Sequence, residues 1–292
     1  MIPQSSSPPP EVVFRWEPSL TRGQLLGRRH RFLVDVKLEC GTTVVAHCAN
    51  PGCMEGLVRP GAEVWLSESS SSKRTLQWTW ELVRVDGVLI GANSWTANRL
   101  VKTLLERRKL PGLKRFIELR SERRQGKGTR LDFELISGRR SHFVEVKNGH
   151  LVYPDGAAYF PDSVTVRSVK HLTKLRRLMN AGHAATVIVT VQRSDAQMLR
   201  PSDLHDPVFA AALRSASRAG LKIRALKFEP SPVGFSFLGE LPVDLRPYSA
   251  DGLAAWRLAG KRFSGWARPK ANSLAAWRKG KQINNAKGLN HS

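Results

Sequence analysis

Asp132, Glu145 and Lys147 are the residues of this 292-residue chain whose types and spacing could do chemistry together. Two carboxylates converging at a strand end make an oxygen site for a hard divalent cation such as Mg²⁺, with Mn²⁺ as a substitute. A lysine beside them can orient or deprotonate an attacking water. Phosphodiester hydrolysis needs that combination. A plainer reading stands beside it, in which Asp132 and Lys147 form an ordinary cross-strand ion pair and Glu145 is a solvated edge residue.

Convergence depends on a hairpin. Residues 129–136 and 142–147 each read as a short strand, joined by the polar turn Ser137-Gly138-Arg139-Arg140. Glu145 and Lys147 are two apart and so share a strand face. Upstream, residues 31–38, 42–47, 63–67, 79–85 and 88–92 are short apolar runs. They are punctuated by Gly41, Asn50-Pro51-Gly52, Pro60-Gly61 and the hairpin signal Asp86-Gly87, which suits a small barrel. Residues 95–110 change to helical spacing and end at Pro111-Gly112. Downstream, 157–160 predicts a strand and 163–180 a helix opened by Asp162-Ser163. Residues 184–192 predict a strand buried on both faces, 206–219 a helix stopped by Gly220, and 221–228 a last strand.

A net charge of +23 and a pI near 10.9 exceed what solubility needs and point to a polyanionic partner, nucleic acid or an anionic membrane surface. No apolar run is long enough to span a bilayer. The first ten residues carry neither the basic nor the apolar region of a secretory signal, and Cys40, Cys48 and Cys53 are odd in number. The expected setting is therefore reducing and cytoplasmic, in association with nucleic acid. His47, Cys48 and Cys53 lack a fourth partner for zinc.

The order Asp132, Glu145-Val146-Lys147, Tyr159-Phe160-Pro161-Asp162, Thr165-Val166-Arg167 and Lys170-His171-Leu172 resembles the sugar fermentation stimulation protein (SfsA) family. Phe32 to Val36, His47 to Gly52, Pro60-Gly61, Trp80-Glu81-Leu82 and Ala97 to Leu100 resemble it too. The resemblance runs from about residue 25 to 245. It implies an α+β protein, an N-terminal OB-like β-barrel followed by an α/β PD-(D/E)xK nuclease-like domain that binds DNA, with a role in regulating sugar-utilisation genes. Asp132, Glu145 and Lys147 then take the nuclease triad positions. Mg²⁺ would rest on Asp132, Glu145 and the Val146 carbonyl, and Glu122 is a further candidate acid, expected from the first helix; Glu118 is the other. The chain departs from the pattern after the lysine, where Asn148-Gly149-His150-Leu151 replaces Ser-Val-Thr-Leu. It departs again at Val166 and Val169, which replace a glutamate and a glutamine expected beside the metal.

The expected division is a lead-in (1–11), the barrel (12–98), the nuclease-like domain (99–245) and a basic Trp/Arg tail (246–292). Candidate contacts to DNA, expected to be double-stranded, are Arg28, Arg29 and Arg31 on the barrel, and Arg123 and Arg124 in a stretch (106–130) with ten lysines and arginines. Arg167, Lys170 and Lys174 follow on one helix face. In the tail, Leu253-Ala254-Ala255-Trp256-Arg257 recurs as Leu274-Ala275-Ala276-Trp277-Arg278, which offers Trp256, Arg257, Trp277 and Arg278. Trp78, Trp80 and Trp95 are open between base stacking and core packing. Three functions fit: a DNA-binding regulator that keeps a nuclease-like metal site, an active Mg²⁺-dependent DNA endonuclease, and an RNA- or membrane-surface-associated adaptor.

Overall fold

The chain enters through a short strand, Val12–Arg15 (β1), and leaves it for a barrel. The barrel strands are Thr21–Arg29 (β2), Leu33–Leu38 (β3), Thr43–His47 (β4), Glu63–Glu68 (β5), Trp78–Val85 (β6) and Val88–Gly91 (β7). Their order is β4-β3-β2-β5-β6-β7, and parallel pairing of Ala46 with Trp78 and His47 with Thr79 joins β4 to β6 and closes the wall. Alternation sends one set of side chains inward, so Leu25, Val34, Val36, Val64, Leu66, Val83 and Ile90 fill the interior. Trp80 joins them, its indole N–H donating to the Leu82 carbonyl, and Trp78 packs half-buried against the same cluster. Both tryptophans are therefore core residues. His30 and Arg31, both at positive φ, make the tight turn between β2 and β3.

This computed structural model describes residues 10–124 and 130–254, with the side chains of Arg123 and Arg124 outside that description. Trp256, Arg257, Trp277 and Arg278 also lie outside the described residues.

The second unit begins with the helix Thr96–Glu106 (α1), whose Ala97, Leu100, Val101, Leu104 and Leu105 are buried at helical spacing. It stops at Glu106, earlier than the spacing predicts, and Arg108 turns back at positive φ. Then come Glu118–Arg124 (β8), Arg130–Ser137 (β9), Arg140–Gly149 (β10), Leu151–Val152 (β11), Ala157–Phe160 (β12) and the helix Val166–Asn180 (α2). Ala184–Val191 (β13), Met198–Pro201 (β14), the helix Pro207–Arg218 (α3), Lys222–Ser231 (β15) and Gly234–Leu241 (β16) complete the order. Seven strands form one sheet, β1-β16-β15-β13-β10-β9-β8, and β11-β12-β14 form a small separate one. Ala157–Phe160 is thus a strand, but not a member of the main sheet.

The parallel pairs β10–β13 and β13–β15 put α2 and α3 on one face of the main sheet. On that face Phe143, Val187, Val189 and Ala225 pack with Leu172, Leu175, Phe209 and Leu213. On the other face Val144, Val146, Ile188 and Phe228 pack with α1 and with Trp65 and Leu82 of the barrel. One apolar cluster therefore spans both units. Gly91 sharpens that junction: its N–H donates to the Gln192 carbonyl, and a Cβ there would fall 2.2 Å from Gln192 Oε1. Val12–Arg15, placed with the barrel by the sequence, pairs with β16 instead. At the far end Leu253 and Ala254 are buried with Tyr153, Tyr159 and Leu204, so the chain after residue 245 continues to pack.

His142 on β10 lies with Nε2 2.7 Å from Thr186 Oγ1. Burial, with the positive charges of Lys222 and Arg224 nearby, pushes its imidazole down to about 4 from the ordinary 6.5. A histidine depressed in the fold stabilises it above its ordinary value, and that contribution is lost as pH falls through the depressed one. Urea unfolding is expected to show stability declining between pH 6.5 and about 4, by up to about 3 kcal/mol, with a flatter profile for His142→Gln.

Candidate metal and nucleic-acid site

The site begins where two strands part. Pairing between β9 and β10 runs from Arg140 with Ser137 to Val144 with Phe133 and goes no further. Asp132 sits at that fork and takes the Val146 backbone N–H that β9 would otherwise have met, at 2.8 Å to Oδ2. Asn98, from the first turns of α1, donates to Oδ1 at 2.8 Å. Both hydrogen bonds favour the charged carboxylate, yet burial and the neighbouring charge of Glu145 win, and Asp132 is raised above its ordinary value.

Glu145 is only 2% exposed. It faces α2, where burial is opposed by His171 and Lys147, and these hold its carboxyl below the usual range. Lys147 Nζ and His171 Nδ1 both donate to Oε1. The Arg167 Nε–H lies 3.4 Å from His171 Nε2, so the ring accepts there and donates through Nδ1. The other carboxylate oxygen, Oε2, is buried with no hydrogen-bond partner. A desolvated acceptor of that kind calls for a donor or a cation. The plainer arrangement of an exposed Glu145 and an Asp132–Lys147 pair is not what forms.

No group of three or more His, Cys, Asp or Glu side chains gathers around a metal position among the described residues. A cation here would rest on Asp132 and Glu145 and complete its shell with backbone carbonyl or water. Mg²⁺ commonly binds through one or two carboxylates, so the donors present fit it. Glu122 is not among them. It lies on the edge strand β8 instead of a helix, at positive φ, and is exposed with Oε2 accepting from Arg130. The sequence missed this because the basic residues around it obscure the pairing of β8 with β9. Glu118 is on the same strand, paired with Arg120. Val166 is 64% exposed on the first turn of α2 and Val169 packs into the helix core, while His171, one turn further on, reaches Glu145.

A cleft of about 470 Å³ opens over the fork, walled by the end of β10, Trp95, Asn50-Pro51-Gly52 of the barrel and Pro161 to Thr165. Arg31 and Arg167 line it; Lys170 is exposed further along the helix and Lys174 half-buried. Arg28 is built in instead. Its guanidinium donates to the carbonyls of Asn50, Gly52 and Cys53 and fixes the loop. Arg29 is held in a two-pronged pair with Asp35. Asp162 pins the loop from the other side: Oδ2 accepts the Met54 N–H at 2.8 Å. Burial opposes its ionisation, but His150, that N–H and His205 hold its carboxyl well below the usual range. Asn98, His171, Asp162 and the clamp of Arg28 were not assigned these roles from the sequence. The only signal was that Asn98, Asp162 and His171 fall inside motifs quoted above, and that Arg167 and His171 are four apart on one helix face.

Residues 26–92 match the family profile described as the SfsA N-terminal OB domain, and residues 95–234 that described as the sugar fermentation stimulation protein RE domain. A sugar fermentation stimulation protein homolog of Thioalkalivibrio sulfidiphilus is 40% identical over 79% of this chain and 98% of its own length. One from Maricaulis maris is 41% identical over 77% and 97%. The solved structure of Pyrococcus furiosus SfsA in complex with Ca²⁺ shares the fold, with a TM-score of 0.73 and 24% identity, over 80% of this chain and 99% of that one.

A Cβ on Gly52 would lie 2.5 Å from both oxygens of Asp162, so this glycine is required by close approach. Gly52→Ala and Asp162→Ala are each expected to cost about 1–3 kcal/mol in urea unfolding. Because they break one contact, the double variant is expected to cost less than the sum by at least about 0.5 kcal/mol.

Proposed function

The chain belongs to the sugar fermentation stimulation protein family, and from that premise we propose that it binds DNA across the cleft face and holds a divalent cation at Asp132 and Glu145. The observation that carries this reading is Glu145 Oε2, buried without a partner next to a second carboxylate. Mg²⁺, with Mn²⁺ as substitute, would rest on Asp132, Glu145 and the Val146 carbonyl. The Ca²⁺ in the Pyrococcus furiosus structure, another hard oxygen-seeking ion, supports the assignment. Such a cation neutralises phosphate charge and acidifies bound water.

The chain's own residues do the rest. Arg31 at the cleft mouth and Arg167, Lys170 and Lys174 along α2 offer phosphate contacts that fix a duplex in register. OB folds commonly present a strand face and loops to oligonucleotides, and the net charge of +23 favours a polyanion. No described helix is long and apolar enough to cross a membrane. A second reading, phosphodiester cleavage, is favoured by Lys147. Its side chain is 16% exposed, held beside the two carboxylates and lining the cleft, where the ammonium can position a water against a phosphate.

Incubating supercoiled plasmid with the wild type and with Lys147→Ala, with Mg²⁺, with Mn²⁺ and with chelator, tests both readings. Expected are binding that weakens steeply with salt, nicking only with cation, and a loss of nicking of about 10²-fold or more in Lys147→Ala at similar affinity. Binding without nicking under any cation leaves a DNA-binding regulator, the role the family's name suggests. An equal preference for RNA, or failure to bind DNA, would contradict the proposal.

A further inference from the structure

Beyond the carboxylates the same cleft holds a second set of polar groups that metal and phosphate do not use. Asn148 follows Lys147 on β10. Its amide oxygen accepts from Gln192 Nε2 at 2.8 Å and from Thr190 Oγ1 at 3.3 Å, which fixes the amide and leaves Nδ2 buried with no acceptor. His150 is 3% exposed and neither ring nitrogen makes a hydrogen bond; the Oδ2 of Asp162 lies 3.4 Å from Nε2. Both residues line the cleft, as does Asp162. Unsatisfied donors and acceptors in a desolvated wall cost free energy that a matching ligand removes.

The ligand's chemistry follows from what faces it. The amide donor of Asn148 and the imidazole nitrogens of His150, beside the Asp162 carboxylate, suit a neutral planar edge bearing both donors and acceptors. Flat or apolar side chains share the wall with them: Phe160, Pro161, Val164 and Trp95, the last 61% exposed with its ring tilted against His47. A volume of about 470 Å³ takes one nucleotide and not a duplex. Asn148 and Glu145 are three residues apart on β10, about 10 Å along the strand, and from its opposite faces both line the cleft over the strand end, a span within the reach of a nucleoside from its own phosphate.

We propose that Asn148, His150 and Asp162, with Trp95 at the mouth, form a pocket for the base of a single unpaired nucleotide, turned out of a strand whose phosphate lies at Asp132 and Glu145. This rests on the nucleic-acid reading above and adds the class of substrate, a strand with an extrahelical or terminal base. The pocket reads the base edge by hydrogen bonds and holds its face against Trp95, as proteins that extract a base from a stack do.

The test measures affinity of the full-length protein, by fluorescence anisotropy with Ca²⁺ present, for four probes. These are a plain duplex, a duplex with one unpaired base, the same bulge lacking the base, and a free mononucleotide. The expected result is tighter binding of the bulge with its base than without it, by about tenfold or more. In Asn148→Ser and in His150→Thr that ratio is expected to fall toward one. Because the ratio is internal to each protein, a partly unfolded variant does not mimic the effect. A wild-type ratio near one with the duplex still bound would overturn the pocket and leave DNA binding intact. Equal occupancy by the mononucleotide, lost in the same variants, would overturn the strand assignment. Failure of every DNA probe to bind would remove both this inference and the function it rests on.

Discussion

A carboxylate with almost no water around it must be neutralised by its neighbours, and Glu145 imposes that requirement on the structure. Its charge is held by an ammonium from its own strand and an imidazole from α2, both on one oxygen. Removing either partner of such a buried set exposes an uncompensated charge, which is why the strand, the helix that crosses behind it and the sheet register have to arrive together. Asp132 has the opposite balance. Its hydrogen bonds from Val146 and Asn98 do not overcome burial and the charge of Glu145, so ionising it works against the fold. The pair holds a repulsion that a cation between the carboxylates would relieve, the usual cost of a site arranged for binding ahead of stability.

The barrel contributes more than a separate module would. Asn50-Pro51-Gly52 forms one wall of the cleft, and it is fixed from the barrel side by Arg28 and from the sheet side by Asp162. The cluster that joins Trp65 and Leu82 to α1 and β10 sets the distance between those two clamps. A cleft assembled from both units keeps its width only if they stay in register. That explains why glycines stand at both close approaches, Gly52 against Asp162 and Gly91 against Gln192.

Much of this was legible in the sequence wherever the signal was local. The hairpin carrying Asp132 and Glu145 forms as its alternation and polar turn require. The β-branched run of β13 is buried on both faces, and α3 is capped by Asp206 and ends just before Gly220. Pairing between distant segments left no such trace: β1 is four residues long and finds β16 more than two hundred residues later. Glu122 was misplaced because an edge strand with charged residues on both faces has neither helical nor strand periodicity. Arg28 looks like a phosphate contact in the sequence for want of any sign that four backbone carbonyls would surround it. His171 sat in a motif without a role, since only the β10–β13 crossover brings α2 over Glu145.

The proposed cation seat is Asp132 together with Glu145. Calorimetric titration of metal-free protein with Mg²⁺ and with Mn²⁺, in the absence of nucleic acid, tests it most directly. The wild type is expected to bind one cation per chain, with affinity weakened by about tenfold or more in Asp132→Asn and in Glu145→Gln alike. A wild type that takes up no cation, or binding that both variants retain, would contradict it.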